Sequence, residues 1–215
     1  MGRIVEFQRD KRKIALYAFI VVFINLLQNI CFIPGPDFLH HFSDLAFYII
    51  THFTLFTVLL SPIGLIAFTT LSIKNKKIKM EYILALLIPV YCYFNYFVVK
   101  EYLRESARNY AIEEAQGLVA AIEGYKVEKG DYPVSLSGLI PDYIDDIPQS
   151  KIIGIREFRY SRVDSIYELE FGQNAISFFN REHVIYNPMG TQKGDGDMPE
   201  LYETGFENWK YYIFD

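Results

Sequence analysis

Charge is missing from three long stretches of this chain: residues 14–33, 45–73 and 82–99 contain no Lys, Arg, Asp or Glu. The absence argues against an ion pump or proton relay, which would keep ionisable groups at membrane depth; His52 is the one ionisable exception of note. Cysteine is scarce as well, with only Cys31 and Cys92. Within their apolar stretches the two differ in depth by roughly 9 Å at 1.5 Å of rise per residue, more than the Cα separation of about 5.5 Å that a disulfide needs. Both therefore read as apolar packing residues. Residues 101–215 hold one histidine, His183, and no cysteine, and no serine there sits in a nucleophile-elbow pattern. General-base catalysis also requires a nucleophile and an orienting partner, so a lone strand histidine reads as structural and the chain as no enzyme. Basic residues are in the minority there too, 11 Lys and Arg against 21 Asp and Glu, a formal charge of −10. Such a region has no field with which to attract nucleic acid.

What is present divides the chain into unlike halves. Each uncharged stretch is long enough to cross a bilayer as a helix, which predicts a membrane domain over residues 1–100 with spans at about 14–33, 45–73 and 82–100. Orientation follows from the cations. Arg3, Arg9, Lys11, Arg12 and Lys13 precede the first span, Lys74, Lys76, Lys77 and Lys79 separate the second from the third, and residues 34–44 have neither Lys nor Arg. Nine against zero predicts a cytoplasmic amino terminus and an extracytoplasmic domain over 101–215, periplasmic in a cell with two membranes. The expected location is the bacterial cytoplasmic (inner) membrane. The first span reads as retained, because its apolar run exceeds a signal core and no small-x-small site follows it. Asn25, Gln28 and Asn29 within it are expected to hydrogen-bond to neighbouring helices. Asp44, Tyr48 and His52 share a helix face, and His40 and His41 precede them. Zinc or copper is one reading of that set, but the spacing matches no compact ligand pattern, and solvated interfacial histidines are the alternative.

The third stretch runs without a break signal into residues 101–129. There Ala111, Ala115, Leu118, Ile122 and Tyr125 recur at alternating spacings of four and three, one apolar stripe on an amphipathic helix. Gly130 and Pro133 end it, and Ser135 is placed to cap a short turn through Ile140. From residue 155 the period becomes two. Phe158 and Tyr160, then Tyr167, Leu169 and Phe171, alternate with polar residues across a turn at 163–165, predicting a hairpin with one buried face. AISFFN, HVIYN and WKYYIF add strands to an antiparallel sheet over about 155–214 that covers the stripe, so the fold class is α+β. In the loop NPMGTQKGDGDMPE, Asp195 and Asp197 alternate with Gly194 and Gly196, and Glu200 follows. A tight turn could gather those oxygens for calcium, although the spacing is not that of an EF-hand and solvated turns have the same composition.

The run Ala115, Gln116, Leu118, Ala121, Ile122, Glu123 and Tyr125, followed by Gly130, Tyr132, Pro133, Ser135, Leu136, Leu139, Pro141, Tyr143, Ile147 and Pro148, resembles the soluble domain of type II secretion pseudopilins and related pilin-like envelope proteins. The resemblance covers about residues 82–171. It implies a long helix, half in the membrane, packed on an antiparallel sheet, and it adds weight to calcium at Asp195, Asp197 and Glu200, since major pseudopilins carry calcium in their carboxy-terminal loop. Pilins begin at a short cleaved leader, whereas here two spans precede the helix and no glycine precedes a cleavable bond near Lys79, Met80 and Glu81. The expected function is accordingly a fixed membrane protein that presents a pilin-like domain to another envelope protein or to a second copy. The alternative is a membrane-anchored sensor or carrier that binds a small ligand in its outer domain.

Overall fold

The computed structural model describes residues 2–75, 80–163, 165–175, 180–192 and 200–214. It is an α+β chain of four helices followed by a five-stranded antiparallel sheet: α1 (Gly2–Leu27), α2 (His40–Asn75), α3 (Met80–Phe94), a π-helical turn (Asn95–Val99), α4 (Lys100–Lys129), β1 (Arg159–Val163), β2 (Ile166–Asn174), β3 (Arg181–Tyr186), β4 (Tyr202–Glu203) and β5 (Trp209–Phe214). Two units partition it. One comprises Met1–Ile30 with Leu45–Tyr102, the other Cys31–Asp44 with Leu103–Asp215.

The first unit is helical, and its helices are joined by amides. Asn25 Nδ2 donates to Thr54 Oγ1 of α2 at 2.6 Å, Asn29 Nδ2 to Asn95 Oδ1 at 2.9 Å, and Asn95 Nδ2 to Asn25 Oδ1 at 2.8 Å. All four side chains are buried, so the expected interhelical role of Asn25 and Asn29 is what the structure shows. Asn95 opens the π turn, a local widening of the helix that is common where a side chain has a task beyond packing. Outside this ladder the surface is apolar: Phe19, Phe23, Phe53, Phe56, Leu59 and Ile66 are all more than half exposed. Lys100 is buried with its ammonium 3.5 Å from the centre of the Tyr96 ring, a cation–π contact.

The helix limits correct the expected spans. Among the described residues one stretch, Asp37–Ile66, is long and apolar enough to cross a membrane, and Ile14–Leu27 is a shorter apolar helix. The first apolar helix does not reach residue 33. It ends at Leu27, where Asn29 N–H bonds back to Leu26 O, and Cys31 and Phe32 are buried in the second unit instead. At 15 residues, α3 is also shorter than a crossing before the π turn interrupts its hydrogen-bond pattern.

In the second unit α4 lies on the inner face of a sheet ordered β1-β2-β3-β5-β4. Ala111, Ala115, Leu118 and Ile122 are fully buried, and Tyr125 is half-buried beside Tyr143. Gly130, at φ +82°, takes the left-handed position that stops the helix, its N–H bonding to Lys126 O at 2.8 Å. Ser135 precedes a 3-10 turn over Leu136–Leu139 but does not cap it; its hydroxyl meets Ser137 Oγ at 2.8 Å. The hairpin pairs Tyr160 with Leu169 and Val163 with Ile166, and Tyr167, Leu169 and Phe171 are wholly buried. The buried aromatic layer continues through Trp209, 5.2 Å from the Tyr186 ring and 6.0 Å from Phe171. Burial raises the phenols of Tyr167 and Tyr186, and pushes Tyr160 up to about 12. Of the expected strand AISFFN, residues 176–179 lie outside the described residues.

Residues 31–33, read from sequence as the end of the first span, and residues 34–44, read as a loop of the membrane half, pack in this second unit. Gly154 N–H donates to Cys31 O at 2.8 Å, Ile153 N–H to Ile33 O at 3.1 Å and Gly35 N–H to Lys151 O at 2.9 Å, with Pro34 and Ile152 forming an antiparallel bridge. Gly154 makes that approach feasible, because a Cβ there would stand 2.8 Å from the Cβ of Cys31.

Candidate binding site

On the outer face of the sheet, β2 presents Glu168, Glu170 and then Gly172, where the alternation of side chains lapses. Gly172 pairs with His183 of β3, and His183 with Tyr212 of β5. The missing side chain opens a notch of about 370 Å³ with Gly172 in its floor and Arg156, Glu157, Arg159, Arg181 and His183 around it. No backbone strain enforces the glycine: a Cβ there would lie 3.6 Å from Glu182 O, an ordinary contact. His183, expected to be structural, lies nearly parallel to the Tyr212 ring at 5.3 Å, 18° between planes.

The cations of the notch are lightly neutralised. Arg159 meets Glu170 through Nε at 3.0 Å, with both side chains part-exposed. Arg181 is exposed and has no ion-pair partner among the described residues. Arg156 donates from Nε to His40 Nε2 at 2.5 Å. Its charge is thus turned toward an imidazole. His40 is positioned from its other side, Nδ1 donating to Ile153 O at 2.7 Å, while the Asp44 carboxylate stands 3.1 Å from Nε2 and accepts from Asn174 Nδ2 at 3.0 Å. A second cleft, about 300 Å³, is lined by Asp37, His40, His41, Ile153, Ile155 and Arg156, so Arg156 serves both. His40 is therefore built into the fold, whereas His41 is exposed and meets Arg156 Nη2 at 3.5 Å. His52 belongs to the other unit, its Nδ1 bonded to Tyr48 O at 2.6 Å.

Beneath the sheet is a charge cluster that the sequence reading did not find. Glu182, with no exposure, takes Arg104 at 2.8 Å and Arg108 at 3.1 Å. Gln173 Nε2 donates to Glu182 Oε1 at 2.7 Å and to Arg104 O at 3.1 Å, and the Arg108 guanidinium lies 4.0 Å over the Tyr211 ring. The cluster ties α4 to β2, β3 and β5. A signal was available: stepping back from Ala111 by three and then four reaches Arg108 and Arg104, on the same helix face as the apolar stripe.

Of the expected calcium ligands, Asp195 and Asp197 lie outside the described residues. Glu200 is described and accepts from the Tyr202 hydroxyl at 3.2 Å. Among the described residues no three His, Cys, Asp or Glu side chains form a metal-holding group. Cys31 and Cys92 are buried and form no disulfide among the described residues. No protein-family model matches the chain, and neither a curated protein nor a solved structure matches it.

Proposed function

We propose that this chain is a non-catalytic integral membrane protein of the bacterial cytoplasmic membrane, held by its helical unit with its amino terminus inside, that presents a pilin-like α+β domain outside as a docking module for another envelope protein or a second copy. The observation that carries it is the surface of the helical unit, where Phe19, Phe23, Phe53, Phe56, Leu59 and Ile66 face outward while the amides of Asn25, Asn29 and Asn95 face inward. That inversion suits lipid, since water-soluble proteins do not expose so large a contiguous apolar area. The short apolar part of α1 and the interrupted third helix suit spans that lean on neighbours and on the flanking cations for their placement. A long helix laid on an antiparallel sheet supports the pseudopilin resemblance. His183, flat against Tyr212, supports a non-catalytic role.

A second reading, a small-ligand carrier or sensor, is favoured by one feature, the arginine-lined notch above Gly172. Its lining is polar and charged, so its ligand would be an anion. Membrane attachment is tested by fractionation of cells expressing the full chain. The protein is expected to stay with the membranes through alkaline carbonate and to leave only with detergent; release by carbonate or high salt overturns the reading.

A further inference from the structure

The geometry points to the notch as a binding site for a phosphate group, an inference that rests on the second reading above and names its ligand class. Three arginines, Arg156, Arg159 and Arg181, and His183 line the space above Gly172; Glu157 is the one carboxylate in the lining, and Glu170 pairs with Arg159 beside it. Around them the region 101–215 carries a formal charge of −10, so a local concentration of cations runs against the composition of its own domain. Arg181 spends its charge on no described carboxylate, and Arg156 is held by a histidine. Guanidinium forks from β1, from β3 and from the segment before β1 match a tetrahedral dianion with several oxygens; a single carboxylate would occupy only one fork. Gly172 supplies the room, and a Cβ added there meets only an ordinary contact, 3.6 Å from Glu182 O.

Two sources carry that chemistry. One is free phosphate or a soluble phosphate ester. The other is a phospholipid headgroup, since His40, which holds Arg156, is the first residue of α2, the helix with a stretch long and apolar enough to cross a membrane.

The experiment uses the full chain in neutral detergent and follows thermal unfolding by the fluorescence of Trp209, its one tryptophan. Inorganic phosphate, succinate, and mixed micelles containing phosphatidylglycerol or phosphatidylcholine are the probes. A saturable rise in Tm with phosphate identifies the free source, and a rise with phosphatidylglycerol but neither phosphatidylcholine nor free phosphate identifies the headgroup. In either case Arg181→Gln and Gly172→Leu are expected to weaken binding at least tenfold. Lys151→Gln, which removes a charge from the same domain away from the notch, is expected to leave it unchanged. Arg181 is exposed, so its variant reports even if Gly172→Leu unfolds. Equal weakening by Lys151→Gln overturns the site. A Gly172-dependent response to succinate alone overturns the phosphate class while leaving the notch as an anion site, and no response to any probe overturns both.

Discussion

Replacing Glu182 by Ala is expected to destabilise the second unit by about 3–5 kcal/mol, because it strands two guanidinium groups in a dry interior. Glu182 has no exposure, and Arg104 and Arg108 have almost none. Neither arginine can recover its hydration without opening the α4–sheet contact. The matching change at the sheet surface, Glu170→Ala, breaks only the part-exposed pair with Arg159 and is expected to cost about 0.2–1 kcal/mol. Trp209, buried between Phe171 and Tyr186, reports on this unit alone in urea titrations of the full chain in detergent. A triple replacement of Arg104, Arg108 and Glu182 by Met or Leu is expected to recover most of the loss, since removing every charge removes the desolvation problem with the attraction. Equal midpoints for Glu182→Ala and Glu170→Ala would mean the cluster is solvated.

Leu118→Asp is expected to be as severe. Leu118 sits midway along α4, fully buried with Ala111, Ala115 and Ile122, and a carboxylate there would enter the apolar face of the helix. Burying it costs on the order of several kcal/mol, a large share of the roughly 5–15 kcal/mol that holds a domain together. The same Trp209 transition is expected to be lost or shifted far to low urea. Glu114→Ala and Glu128→Ala should be nearly silent, because Glu114 faces Lys151 and Glu128 faces Tyr143 and Lys129 at the surface. Tolerance of Leu118→Asp would remove the helix from the core.

The stripe on α4 was legible because apolar residues at a helical period have one physical use, burial of a face. Its amino-terminal end was not, since the same period continues through Arg104 and Arg108, and a pattern sought in apolar residues stops at a charge. Glu182 was missed for the same reason, although it shares a strand face with buried Val184. The hairpin from Tyr160 to Phe171 could be read from alternation, and the notch follows from that pattern once Gly172 is seen as its gap. What no local pattern carries is the pairing of residues 31–35 with 151–154. It runs through backbone groups more than a hundred residues apart and depends on the absent side chain of Gly154. Composition likewise cannot tell apolar residues meant for lipid from those meant for a core, so Cys31 and Phe32 were assigned to a span when they fill the second unit.

Display of residues 101–215 outside the cytoplasm by a membrane-held chain, as proposed, is read out by reporters joined after Asp215 in a bacterial host. The nine-to-zero asymmetry of flanking cations predicts that alkaline phosphatase, which folds only outside the cytoplasm, is active there and that a cytoplasmic reporter at the same position is silent. An inactive phosphatase with an active cytoplasmic reporter contradicts the account.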